Sequence, residues 1–191
     1  MDVSTFMQGL VEVIGRPSTL RAFDCDGSPL ECSVFIVGLN PATASERDFW
    51  EYFHPVKGFM KAKWREDYIA ERKKAGEYYA ISPSRNAIEK VELAAGPTKI
   101  LVTNIFSTPG NSAGDLKDSQ RATTAFDYLM STIRPRLVIA HGLEAGAYLS
   151  TYDTDAVIWQ RRHALKWTSD YAIDLGRDIA AWAQSRNRSA A

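Results

Sequence analysis

Three almost unbroken apolar runs, each closed by a glycine or an amide, constrain this chain most. They are Val34-Phe35-Ile36-Val37 before Gly38-Leu39-Asn40-Pro41, Ile100-Leu101-Val102 before Asn104, and Leu137-Val138-Ile139-Ala140 before His141-Gly142. A strand with one solvated face alternates apolar and polar residues. A strand covered on both faces reads as a continuous apolar run. DAVIW, Asp155 to Trp159, reads as a fourth strand. Helical segments lie between the runs, which predicts a parallel sheet with helices on both faces.

The helical segments carry their own punctuation. Phe6, Leu10, Val13 and Ile14 fall at helical spacing within Ser4–Ile14. In SPSRNAIEKVELAAG, Ser82 is placed to cap, Pro83 to occupy the first turn and Gly96 to stop the helix. Asp118 is placed to cap a helix whose apolar face is Ala122, Phe126, Leu129, Met130 and Ile133. Glu144–Ser150 reads as a short helix and Asp174–Ser185 as the last one, with residues 185–191 as a frayed tail. Glu46–Gly76 is charged and aromatic, consistent with a helix or two and irregular connections, and Asp24–Leu30 reads as a turn. No repeat or linker divides the 191 residues, so a single domain with one sizeable core is expected.

Bulk chemistry narrows the function classes. Lys plus Arg equals Asp plus Glu at 23 each, so nucleic-acid binding would have to come from local patches. HPVKGFMKAKWR offers Lys57, Lys61, Lys63 and Arg65 among aromatics, and WQRRHALKW offers Arg161, Arg162, Lys166 and Trp167. Such interleaving suits phosphate contacts with base stacking, and equally a solvated face with aromatics turned inward. No run reaches the ~18 apolar residues of a membrane span, and the acidic start, MDVSTFMQGL, is unlike a secretory leader. Two cysteines and three histidines without ligand spacing argue for no metal and no cofactor. A cytoplasmic monomer is the expectation.

In open α/β sheets, ligands bind beyond the carboxyl ends of strands. That rule singles out Gly38–Thr43, Asn104–Gly110 and His141–Gly142. Asn40 either presents its amide to a cleft or serves as a turn or cap residue. Asn104 offers one acceptor and two donors, the complement of a carbonyl beside an N–H, or else satisfies its own loop. His163 either donates to a developing anion or is a surface histidine. His141, among small neighbours, reads as a packing or supporting residue, and His54 carries no spacing signal.

Taken in order, VGLNPA (Val37–Ala42), LVTNIFSTPG (Leu101–Gly110) and RPRLVIAHGLEAGAYL (Arg134–Leu149) resemble the motifs of the uracil-DNA glycosylase superfamily. The resemblance spans roughly Ser33 to Trp182. It implies a three-layer α/β/α sandwich around a four-stranded parallel sheet. It also implies a base-excision glycosylase that hydrolyses the N-glycosidic bond of uracil or a related base in DNA. A non-catalytic binder of nucleobases, nucleotides or single-stranded nucleic acid on the same fold is the alternative. In the glycosylase, Asn40 would position water and His163 would donate to the anionic carbonyl. Asn104 would read the base edge, with Gly38, Leu39 and Pro41 beside the base and Phe53, or Trp50, stacked on it. Arg161, Arg162, Lys166 and Trp167 would meet the nucleic acid. After His163 the sequence Ala164-Leu165-Lys166 departs from the family's His-Pro-Ser-Pro, and Ala42 stands where several members carry an aromatic. An Asn40→Asp change would be expected to raise the rate, provided the pocket geometry holds and the DNA phosphates do not repel it, because a carboxylate also faces the oxocarbenium charge.

Overall fold

The computed structural model describes residues 1–42, 44–110, 114 and 116–188. Thr43, at the end of the first strand-end loop, and residues 189–191 of the expected tail lie outside the described residues. The elements in chain order are α1 (Val3–Ile14), β1 (Phe23–Cys25), β2 (Val34–Gly38), β3 (Phe53–His54), β4 (Gly58–Phe59), α2 (Lys61–Lys74), α3 (Pro83–Ala94), β5 (Ile100–Asn104), α4 (Thr124–Ile133), β6 (Leu137–His141), α5 (Leu143–Ser150), β7 (Val157–Arg161) and α6 (Ser169–Arg188).

The central sheet has five strands in the order β1-β5-β2-β6-β7. The four strands expected from the apolar runs are present and mutually parallel. The expected four-stranded sheet is nevertheless extended by β1, which pairs antiparallel with β5 through Phe23 and Thr103, Asp24 and Val102, and Cys25 and Leu101. The Thr103 hydroxyl adds a bond to the Ala22 carbonyl at 2.6 Å. Three residues are too short for a periodic signal, and in sequence Asp24-Cys25 reads as part of a turn.

Helices cover both faces. Phe35, Val37, Leu101, Val138 and Ala140 point toward α1, α4 and α5, where they meet Phe6, Leu10, Phe126, Leu129 and Leu149. Val34, Ile36, Val102 and Ile139 point the other way, onto Ile88 and Val91 of α3 and Ala172, Leu175 and Ile179 of α6. This alternation makes one layer of sheet between two of helix. The α3–α6 contact is close: a Cβ on Gly176 would stand 2.5 Å from the Val91 carbonyl oxygen.

Local chemistry explains the helix ends and three corrections. The Asp2 carboxylate caps α1 by accepting from Thr5 N at 2.8 Å, and the Ser82 hydroxyl caps α3 by accepting from Arg85 N. Asp118 instead opens a single 3-10 turn, Asp118–Gln120, so α4 starts at Thr124 and Ala122 stays exposed. The last helix begins at Ser169 and runs to Arg188, longer than Asp174–Ser185 and through much of the supposed tail. The fourth strand is displaced to Val157–Arg161 and is half-exposed, as an edge strand is, with Arg161 inside it. Glu46–Gly76 resolves into a 3-10 turn at Phe49–Tyr52, the β3–β4 hairpin and α2. Among the described residues, no helix is long and apolar enough to cross a membrane.

Candidate ligand cleft at the strand carboxyl ends

The carboxyl ends of β2, β5, β6 and β7 open into a cleft of about 1430 Å³. Parallel register puts their last residues side by side. Gly38 pairs with Asn104 of β5, and Val37 pairs with Ala140 of β6, so His141 flanks Gly38 from the opposite side. Asn104 and His141 both lean over that glycine. An ideal Cβ on Gly38 would lie 2.6 Å from Asn104 Oδ1 and 2.9 Å from His141 Nε2. Gly38 is therefore a buried floor beneath two polar side chains, and it does not itself line the cleft.

Leu39, Asn40, Pro41, Asn104, His141, Arg161, Arg162, His163 and Lys166 do line it. Asn40 joins the two loops. Its Nδ2 donates to the Gly110 carbonyl at 2.7 Å and to its own neighbour Pro41 at 3.3 Å. Gly110 N returns a bond to the Pro41 carbonyl at 2.9 Å. Asn40 thus has the loop-satisfying role open to any turn asparagine.

His141 is buried, at 9% exposure, and its Nδ1 is enclosed without a hydrogen-bond partner among the described residues. Burial, with a smaller effect of His163, pushes its pKa down to about 3, so the ring is neutral at ordinary pH. Its edge-on neighbours are His163, with ring centroids 5.2 Å apart, and Trp167 at 5.8 Å. His163 stands at the rim. Its Nδ1 accepts from Leu165 N at 3.2 Å, which leaves the proton on Nε2. Partial burial first, and then the Lys166 charge, lower its pKa.

Several sequence assignments are corrected here. Phe53 is in the core at 6% exposure, stacked on Phe6, and cannot stack on a ligand. Trp50 is equally buried, its indole N–H donating to the Gly15 carbonyl at 2.8 Å. Trp167 is buried as well and donates to the Arg162 carbonyl at 2.7 Å, so it braces the rim loop and is no nucleic-acid contact. The aromatic residues that line the cleft are Phe23, Phe49, Tyr52, Trp64 and Tyr68, largely buried themselves. Lys61 and Arg65 are taken up by ion pairs, Lys61 with Asp24 and Glu92, and Arg65 with Glu89 at 3.0 Å. Lys63 donates to the Glu51 carbonyl. Lys57 is an exposed hairpin residue outside the cleft lining, and His54 Nδ1 accepts the Val56 and Lys57 amides in that same turn.

Sequence reading missed a buried charged cluster in the cleft wall. Arg85 pairs with Asp24 at 2.7 Å and with Glu92 at 3.4 Å, and its guanidinium lies 4.7 Å from the Trp64 ring centroid. The carboxylates around it outweigh its burial and hold its pKa above the usual value; burial raises that of Glu92. Arg21 and Arg72 lie over the Tyr68 ring at 5.6 and 5.8 Å. These residues are scattered over β1 and the segment before it, α2 and α3, and no spacing within one segment announces them. Among the described residues, no group of three His, Cys, Asp or Glu side chains is placed to hold a metal ion. What the arrangement can do is hydrogen-bond a planar polar ligand through an amide, two imidazoles and loop backbone, with cations at the rim. The sequence matches no protein-family model and no curated protein.

Proposed function

We propose that the cleft takes a nucleobase and that the protein hydrolyses the N-glycosidic bond of uracil or a related damaged base in DNA. One observation supports this above the others: Asn40, Asn104 and His163, at or just past the ends of three separate strands, line a single cleft. The chemistry asks for charge stabilisation more than for a strong base. Bond cleavage makes an oxocarbenium sugar and a base anion, and hydrogen-bond donors in a water-poor site stabilise the anion. Asn40 has no basic group. Its Oδ1 orients water, while its Nδ2 holds the Gly110 loop. Extruding a base from a duplex costs a few kcal/mol, and the exposed Arg162 and Lys166 at the rim are the side chains to offset it through phosphate contacts.

A second reading is favoured by the Asn40 tether. An amide committed to holding two loops together is a structural feature, and a cleft built this way binds a nucleobase or single-stranded nucleic acid without cleaving it. One assay separates the two. The protein is incubated with uracil-containing single-stranded and duplex oligonucleotides, and abasic sites are cleaved with alkali. Strand scission dependent on uracil is the expected result. Retention of labelled oligonucleotide without scission selects the binding reading.

A further inference from the structure

We propose that the β1 side of the cleft, opposite β7, is a phosphate subsite in which Arg21, Arg47 and Arg72 around Tyr68 hold the terminal phosphate of a nucleotide. Seating the base in the same cleft rests on the base-binding reading; the anion subsite itself does not. A base alone leaves much of the cleft unused, since about 1430 Å³ exceeds the roughly 300–1,000 Å³ of small-ligand pockets.

Two elements build this side. β1 runs antiparallel to β5, with Phe23 opposite Thr103, so the residues before β1 come out beside the end of β5. Arg21 N donates to the Ser107 carbonyl at 3.1 Å, which fixes Arg21 against the loop that follows Asn104. On α2, Trp64, Tyr68 and Arg72 are four residues apart, so one face of the helix presents them in a row. All three line the cleft. The Arg21 and Arg72 guanidiniums both lie on the Tyr68 ring, at 5.6 and 5.8 Å from its centroid. Arg47 lines the same cleft and is steadied by Asp67 at 3.2 Å.

The charges are arranged for an anion. Among the described residues lining this side, Asp24 is the one carboxylate, and it is committed to Arg85 and Lys61. The carboxylates that brace the three arginines, Glu51, Asp67, Glu71 and Glu77, are not among the lining residues. Arg72 spends Nε on the Tyr79 carbonyl and Nη2 on Glu77, and a guanidinium has five N–H donors in all. Burial pushes the Arg21 pKa down even with Glu71 at 3.9 Å, so its charge is held at a cost that an anion beside it would offset. α3 begins here too, and Ser82 and Ser84 line the cleft, so the positive end of its dipole adds to the arginines.

The chemistry selects a phosphomonoester. Planar guanidinium forks match phosphate oxygens in pairs. Arg21 and Arg72 keep side-chain exposures of only 18% and 9%. A phosphate within a strand carries chain on both sides, whereas a terminal one carries it on one side and reaches guanidiniums set this deep. The group is supplied by a free nucleoside monophosphate or by the phosphorylated end of a strand.

The test titrates the full chain by calorimetry with inorganic phosphate, deoxyuridine and its 3′- and 5′-monophosphates. One monophosphate is expected to bind at least about tenfold tighter than the nucleoside, with inorganic phosphate competing against it. Arg21→Gln and Arg47→Gln should each close most of that gap, and Lys57→Gln, outside the cleft, should leave it. Arg47 is partly exposed, so its variant decides the matter if Arg21→Gln does not fold. An oligonucleotide whose terminal phosphate brings the same gain identifies the strand end as the source; a gain confined to the monophosphate identifies the free nucleotide. Equal affinity for nucleoside and both monophosphates overturns the inference and leaves the base-binding reading standing, and so does a gap that survives both arginine changes. Inorganic phosphate bound through Arg21 and Arg47 with no binding of deoxyuridine keeps the subsite and removes the base-binding reading.

Discussion

Gly38 has no room for a side chain because Asn104 fills it: a Cβ would stand 2.6 Å from Asn104 Oδ1. His141 closes the same space from the other strand. Gly38→Ala should push both polar side chains apart. Overpacking of this kind costs about 1–3 kcal/mol, so the variant should fold with a lowered Tm and bind uracil at least about tenfold more weakly. Thermal unfolding and calorimetry check the two parts, and unchanged uracil affinity would show that the Asn104–His141 spacing does not matter.

Asn40 carries the next prediction, and its hydrogen bonds change what is expected of one variant. Asn40→Asp replaces the donor to the Gly110 carbonyl with a carboxylate facing carbonyl oxygens of Gly110 and Pro41. Losing a part-buried partner costs about 1–3 kcal/mol. Denaturant unfolding should show that loss, and the rate gain expected of a carboxylate should not appear in the alkaline-cleavage assay. Asn104→Ala, by contrast, should weaken uracil affinity with little change in stability, because its side chain lines the cleft.

Arg85 tests whether the charged cluster is a strut. Arg85→Met leaves the Asp24 and Glu92 carboxylates buried with Lys61 as their remaining cation. Breaking a buried pair from one side costs about 3–5 kcal/mol. The double variant Arg85→Met, Asp24→Asn should lose less than the single one. Equal losses in chemical denaturation would mean the two charges are not coupled.

His141 should leave a mark on acid stability. Its folded pKa of about 3 lies below the ordinary histidine value near 6.5. Above about pH 6.5 the ring is neutral folded or unfolded, and stability from this group is at its full value. As pH falls toward 3 the unfolded chain takes up a proton that the folded one refuses, so stability falls. The slope is on the order of 1 kcal/mol per pH unit. Carboxylates titrate in the same range, so the quantity to measure is the difference in unfolding free energy between the unaltered protein and His141→Phe. That difference should change between pH 6 and 4 and be flat above pH 7.

Nucleic-acid binding should depend on salt through few contacts. With Lys61 and Arg65 in internal ion pairs, Arg161, Arg162 and Lys166 are the cations on the β7 side of the cleft. Three phosphate contacts give a slope of about −2 for log affinity against log salt on single strands. Replacing Arg162 and Lys166 by alanine should reduce its magnitude by about 1, and replacing Lys57 should not change it. Fluorescence anisotropy across a salt series measures both.

Residues that announce themselves through their neighbours in sequence were legible. Four parallel strands, the caps at Ser82 and the helix faces through Phe6 and Phe126 follow from continuous apolar runs and local spacing. The placing of Asn40, Asn104 and His163 at strand ends followed too, because parallel topology sends every such loop to the same side of the sheet. What tertiary structure alone decided are relationships between distant segments. β1 exists because Phe23–Cys25 finds an open edge on β5, something no three-residue pattern can encode. Phe53, Trp50 and Trp167 look like ligand contacts in sequence, yet the core takes them, since burying large aromatic area outweighs presenting it to solvent. Lys61 reads as a phosphate contact until Asp24 and Glu92, from two other elements, surround it. The pairing of Asn104 with His141 over Gly38 depends on register across three strands far apart in the chain. Hydrophobic pattern chooses which strands form and which faces they bury; only their alignment in space brings these two polar side chains to one point.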